Sequence, residues 1–163
     1  MSNHSFLYPI KSFDTVDGDT LDLQIDLGFG ITRKIRARIS GIDCPETRLV
    51  RSRAAGRVSE TAARLWMYRN GLENKRLWSQ EIVKDKYGRV MGDIIHVACD
   101  GASITAKDSL SSYMFSSGYA RLYNGGAKDE WEQEILEEIA SRAISGGVYI
   151  DEGMFDANRE RLL

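Results

Sequence analysis

The stretch from Ile35 to Glu46, IRARISGIDCPE, brings basic and acidic side chains together at one strand end. Lys34, Arg36 and Arg38 recur at every second position, so an extended chain puts them on one face and Ile35, Ala37 and Ile39 on the other. After Ser40 and Gly41 comes Asp43-Cys44-Pro45-Glu46, where proline bars both helix continuation and a ladder hydrogen bond. Two carboxylates beside guanidinium groups suit a hard cation and a phosphate together. A second acidic pair stands earlier, in Asp17-Gly18-Asp19. Continuing the alternation of the following strand backwards puts both aspartates on its leucine side, where an unpaired carboxylate is costly. A metal ion or an arginine would relieve that cost. The plain alternative for each segment is a charged turn beside an ordinary strand.

The elements that must position these groups follow from periodicity. Residues 6 to 14 are apolar and aromatic, which predicts a first strand running into the Asp17-Gly18-Asp19 turn. Leu21, Leu23, Ile25 and Leu27 alternate with Asp22, Gln24 and Asp26, a half-buried strand closed by a Gly28-Phe29-Gly30 hairpin and followed by a strand from Ile31 to Gly41. From Ser52 the spacing turns helical, with Ala55, Val58, Ala62, Leu65 and Trp66 on one side and Asn70-Gly71 as the stop. Segments 75 to 83 and 89 to 98 read as strands joined by the turn Lys84-Asp85-Lys86-Tyr87-Gly88. Ser103 to Ser117 predicts a helix stopped by Gly118, and Tyr119 to Tyr123 a short extended piece. Trp131, Ile135, Ile139 and Ala143 mark one face of a final helix. Residues 145 to 163 read as loose and acidic. This order fits an α+β fold, a five-stranded OB-type barrel with about three packed helices. Residues 1–163 read as one domain, with a core over 6–149 and an acidic tail over 150–163.

Composition narrows the function classes. No apolar run approaches a membrane span, so no membrane partner is expected. The start, MSNHSFLYPIKSF, lacks the basic and apolar regions of a signal peptide, which leaves a cytoplasmic location as the default. Cys44 and Cys99 lack metal-ligand spacing, and His4 and His96 are the only histidines; zinc and histidine-based chemistry are disfavoured. The net charge of −2 hides an asymmetry: residues 33 to 89 hold 15 of the 22 Lys and Arg but 6 of the 24 Asp and Glu. A basic middle between acidic ends is the pattern of one anion-binding face.

Taken together, Asp17-Gly18-Asp19-Thr20, Arg38, Asp43-Cys44-Pro45-Glu46 and Asp85-Lys86-Tyr87-Gly88-Arg89 resemble, in order and spacing, the staphylococcal nuclease-like (thermonuclease) family. The resemblance extends through Gly118-Tyr119-Ala120-Arg121 and Tyr123-Asn124-Gly125-Gly126 to Ala143. It implies an OB-fold barrel, bound Ca2+, and hydrolysis of DNA and often RNA with low sequence specificity to products ending in 3′-phosphate. Carried over by position, it makes the carboxylates of Asp19 and Asp43 and the carbonyl of Cys44 metal ligands. It makes Glu46 the general base and sets Arg38 and Arg89 on the scissile phosphate. The family commonly has threonine or alanine where this chain has Cys44; acting through its carbonyl, the residue keeps the ligand and leaves a thiol beside it. Lys86, Tyr87 and Tyr123 are candidate nucleic-acid contacts, Tyr123 as a stacking platform near Gly125-Gly126 and Lys128, although the family's tyrosine pair does not align uniquely here. Arg48, Arg51, Arg53 and Arg57 read as a phosphate-tracking patch.

The chemistry is coherent apart from the name. A phosphodiester repels nucleophiles, so a cation and two guanidinium groups must absorb the charge that builds in its transition state. A glutamate beside the attacking water can take its proton. The rival reading is a catalytically silent OB-fold module that binds nucleic acid or protein; such modules typically lose the acidic and arginine residues that are all present here. A monomer is expected.

Overall fold

The structure, a computed structural model, describes residues 5–80, 84–101 and 103–145. Its strands are β1 (Ser5–Asp17), β2 (Thr20–Asp26), β3 (Thr32–Ile39), the two-residue β4 (Ile42–Asp43), β5 (Lys75–Gln80), β6 (Val90–Asp100), β7 (Ser103–Ser109) and the two-residue β8 (Arg121–Leu122). The helices are α1 (Arg53–Tyr68), α2 (Leu110–Ser116) and α3 (Gln133–Ser145). Five strands close a barrel. β1 pairs antiparallel with β2 and β5, β2 with β3, and β5 with β6, and a parallel β3–β6 pairing completes the ring. The expected α+β, OB-type architecture is the one observed.

The alternation in β2 sets the register. Leu21, Leu23 and Ile25 point inward with Ala37 and Ile39 of β3, and Ala55, Val58, Ala62, Trp66 and Met67 of α1 pack into the same core. A buried polar cleat fixes α1 to β1: Arg64 Nε donates to Thr15 Oγ1 at 2.9 Å, and Thr15 Oγ1 donates to Glu60 Oε1 at 3.1 Å. Most buried polar groups in folded proteins are paired in this way.

Several expectations are corrected. Ser103–Ser109 is a strand, and the helix occupies only Leu110–Ser116. The tight turn at Gly101, with φ 58, folds this segment back along the free edge of β6, and ladder pairing overrides the local helical signal. Ser109 marks the switch: its hydroxyl accepts from Ser112 N at 3.2 Å as the helix cap. Leu27 is exposed because it lies at the hairpin tip, beyond the barrel. In α3 the buried face carries Leu136 and Ile139, while Ile135 is exposed and Trp131 precedes the helix. The side chain of Ala143, the strand end expected at 81–83 and the tail from 146 onward lie outside the described residues.

Candidate active site

Asp19 sits in the turn between β1 and β2, and Asp43 ends β4; both are buried, at 5% and 1% exposure. The β2–β3 register puts Thr20 opposite Arg38, and Ile39 N donates to Asp19 O at 2.8 Å, which draws the end of β3 onto the Asp19 turn. Cys44 N donates to Asp19 Oδ2 at 2.7 Å and the Thr20 hydroxyl to Oδ1 at 2.9 Å. Asp17 does different work. Its Oδ1 accepts from Thr47 N at 3.0 Å and from Thr47 Oγ1 at 2.9 Å, and so ties down the 43–47 segment.

Two glycines permit the close approach. A Cβ on Gly18 would lie 2.9 Å from Cys44 Sγ and 2.9 Å from Ser59 Cβ. One on Gly56 would lie 2.8 Å from the carbonyl carbon and oxygen of Glu46 and from Thr47 N, so α1 touches the backbone that carries Glu46.

Alternation puts Arg38 on one charged face with Lys34 and Arg36, and the structure gives them different surroundings. Arg36 is exposed and pairs with Asp22, Nε to Oδ1, at 2.7 Å. Arg38 is 3% exposed, because the chain after β8 covers the end of β3: Tyr123 N donates to Gly41 O at 2.9 Å, and the Tyr123 ring lies 5.8 Å from the Arg38 guanidinium. Arg38 Nη1 donates to Ile39 O at 2.6 Å. Its Nη2 lies 3.5 Å from Asp19 Oδ2 and 3.7 Å from Asp43 Oδ1, yet makes no hydrogen bond among the described residues.

Two further cations reach Asp43. The β4–β8 bridge sets Asp43 opposite Arg121, whose Nε donates to Oδ2 at 3.0 Å while its Nη2 lies 2.9 Å from the same oxygen; the guanidinium stacks 4.1 Å from the Trp131 ring centroid. Lys128 Nζ lies 2.8 Å from Oδ1 and 5.4 Å from the Tyr123 ring. Neither contact follows from periodicity, since a two-residue bridge leaves no pattern. The only signal was the place of Arg121 within the Gly118-Tyr119-Ala120-Arg121 motif.

Burial raises the pKa of Asp19, and Arg38, the Cys44 amide and the Thr20 hydroxyl offset this only in part. Burial, and then the nearby Asp19 carboxylate, push the Cys44 thiol well above its ordinary value. An under-compensated buried carboxylate and hard oxygen donors fit a divalent cation in kind. The number of donors is small: among the described residues no three His, Cys, Asp or Glu side chains form a metal-binding group. Asp19, Asp43 and the Cys44 carbonyl would need water to complete a shell.

Glu46 is half-buried and lines a cavity of about 270 Å³ with Asp43, Cys44, Arg51, Arg121 and Trp131. Its carboxylate has no partner among the described residues. Arg89 stands apart from the carboxylate pair in its contacts. Its Nε donates to Asp85 Oδ2 at 2.6 Å and its amide to Asp85 Oδ1 at 2.9 Å, which rigidifies the 85–89 turn. The β3–β6 register, with Ala37 opposite Val90 and Arg38 opposite Met91, brings this turn alongside the Arg38 strand. Tyr87 is 70% exposed, with Lys86 Nζ 5.1 Å and the Arg89 guanidinium 5.2 Å from its ring. Of the basic patch, Arg48 and Arg53 are exposed, and Arg51 is held by Glu130 at 3.1 Å and Trp131 O at 2.7 Å.

Among protein-family models, the one described as staphylococcal nuclease homologue matches residues 36–147. That span takes in Arg38, Asp43, Cys44, Glu46, Lys86, Tyr87, Arg89 and Tyr123 and begins after Asp19. No curated protein matches the chain at a significant level.

Proposed function

The chain belongs to the staphylococcal nuclease homologue family, and from that premise we propose that it is a calcium-dependent nuclease. It hydrolyses phosphodiester bonds of DNA and RNA with low sequence specificity and leaves 3′-phosphate ends. The observation that supports this reading best is Arg38 Nη2, a buried donor without a hydrogen bond among the described residues, poised beside two buried carboxylates. A phosphate oxygen is the acceptor that a guanidinium fork suits.

Asp19, Asp43 and the Cys44 carbonyl would hold the calcium ion, which supplies charge neutralisation at the phosphate. Glu46 takes a proton from water as the water oxygen bonds to phosphorus; the bond from phosphorus to the 5′ oxygen breaks, and that oxygen takes a proton from solvent. Arg38 and Arg89 bind the non-bridging oxygens as their charge grows. Lys86, Tyr87 and Tyr123 hold the strand by charge and stacking.

The test is digestion of single-stranded DNA, duplex DNA and RNA with calcium or with a chelator, followed by analysis of the ends. Cleavage that needs calcium and leaves 3′-phosphate is expected. Cleavage that persists under chelation would remove calcium from the reading. One observation favours the silent module instead: Lys128 and Arg121 already neutralise Asp43. Binding of single-stranded DNA without cleavage at any calcium level would establish that alternative.

A further inference from the structure

The β2–β3 hairpin ends in Leu27-Gly28-Phe29-Gly30-Ile31, and its apolar side chains all face solvent: Leu27 is 43%, Phe29 103% and Ile31 57% exposed. The turn's backbone is satisfied without them. Leu27 N donates to Ile31 O at 2.9 Å, Ile31 N to Gly28 O at 2.9 Å, and Gly28 N to Asp26 Oδ1 at 2.8 Å. Phe29 also takes φ 55, a left-handed conformation that suits glycine or asparagine and disfavours a bulky aromatic. Neither the core nor the turn accounts for a phenylalanine there.

The tip lies at the far end of the hairpin from the candidate active site. Thr20 faces Arg38 at the site end and Asp26 faces Thr32 at the tip, with roughly 20 Å of strand between them. Among the described residues β3 pairs with β6 only over Ala37–Ile39 and β2 with β1 only as far as Ile25, so the tip past Ile25 projects beyond the ring. Its charges are Asp26, ion-paired with Lys11 of β1 at 3.6 Å, Arg36, paired with Asp22 at 2.7 Å, and the exposed Arg33 and Lys34, which have no ion-pair partner among the described residues. The collar is therefore cationic.

We propose that this tip inserts into the interface of an anionic lipid bilayer. A protruding turn with three apolar side chains is too small for a stable protein interface, which takes about 800 Å² per partner. Insertion at the boundary of headgroups and acyl chains needs no complementary face, only apolar groups about 5–10 Å ahead of cations. At about 3.3 Å per residue, Arg33 and Lys34 stand about 7 and 10 Å behind Ile31, the last apolar residue of the tip. The expectation of no membrane partner rests on the lack of a spanning segment, and no helix among the described residues is long and apolar enough to cross a bilayer. A peripheral contact needs none. It leaves the opposite end of the hairpin, with Arg38 and Asp19, turned away from the lipid.

The test is sedimentation of the full chain with phosphatidylcholine vesicles, with and without phosphatidylglycerol, in buffer free of nucleic acid. Partition is expected only with the anionic lipid, weakening as salt rises. Phe29→Asn, which suits the left-handed turn, should lower it about tenfold, as should Arg33→Gln combined with Lys34→Gln, while melting temperature and DNA cleavage stay unchanged. The indole emission of Phe29→Trp should shift to the blue with anionic vesicles. Absent partition, equal partition by Phe29→Asn, or an unshifted indole overturns the proposal. So does a lipid-independent dimer that Phe29→Asn dissolves, which would assign the tip to a second copy. The result stands whether or not the chain cleaves nucleic acid.

Discussion

Lys128 Nζ lies 2.8 Å from Asp43 Oδ1, so an ammonium occupies one of the carboxylate oxygens assigned to a metal. Arg121 holds the other oxygen from a stacked, bridged position, whereas the Lys128 side chain is 41% exposed and follows Gly125-Gly126 on a segment without helix or strand. Lysine is a compact charge on a flexible stem, and it is the partner that can leave. Lys128→Met should therefore tighten calcium binding in the absence of nucleic acid, by up to about tenfold for a partly exposed ion pair. Calorimetric titration with calcium measures this directly. Unchanged or weaker affinity would take Asp43 Oδ1 out of the metal shell.

Glu46→Gln keeps shape and removes the proton acceptor. Cleavage should slow by roughly 100-fold or more, with little change in substrate binding, as for loss of a general base. Near-normal turnover at saturating DNA would remove Glu46 from the base role and leave the metal assignment standing.

Gly56→Ala tests how Glu46 is positioned. The added methyl would meet backbone atoms of Glu46 and Thr47 at 2.8 Å, contacts that cannot yield as a side-chain tip can. Overpacking of this kind costs about 1–3 kcal/mol. Both melting temperature and cleavage rate should fall. Loss of stability alone, with the rate per folded molecule preserved, would show that the 43–47 segment moves without disturbing the chemistry.

What was legible in the chain follows from how local each signal is. Leu21, Leu23 and Ile25 alternate over a strand buried on one face, so register and core could be read directly, and running that alternation back placed Asp19 inside. Arg38 obeys the same period, yet its burial depends on the Tyr123 segment folding over it from far along the chain. The Asp43–Arg121 contact spans 78 positions through a two-residue bridge, too short to carry a pattern. Ser103–Ser109 misled because ladder bonds to β6 decide its state, not its own residues.

His96 offers a pH test away from the site. Its Nδ1 lies 3.2 Å from Lys75 Nζ, and partial burial first, Lys75 second, push its pKa below 6.5. The unfolded chain then takes up a proton near 6.5 before the folded chain does, so stability is intact above that pH and declines as pH falls towards the folded value. Melting temperature should drop more for the parent than for His96→Gln between pH 7 and pH 5.5, a window that reaches about one unit below the ordinary histidine value. Parallel curves would clear His96 of this role.

The last prediction separates the two arginines assigned to phosphate from the basic surface. Arg38 is buried beside both carboxylates and Arg89 is locked by Asp85, whereas Arg53 is exposed near the start of α1. Lysine at either position preserves charge but loses the planar fork that donates two parallel hydrogen bonds. If that fork acts on charge that appears in the transition state, Arg38→Lys and Arg89→Lys should lower the maximal rate more than they weaken binding. Arg53→Ala should instead weaken binding at low salt, flatten its salt dependence and leave the maximal rate nearly intact. Single-turnover cleavage, with binding measured in calcium-free buffer at two salt concentrations, distinguishes the cases. Were both lysine variants to reach the parent rate once saturated with DNA, neither arginine would act in catalysis, and the silent module would become the better account of this barrel.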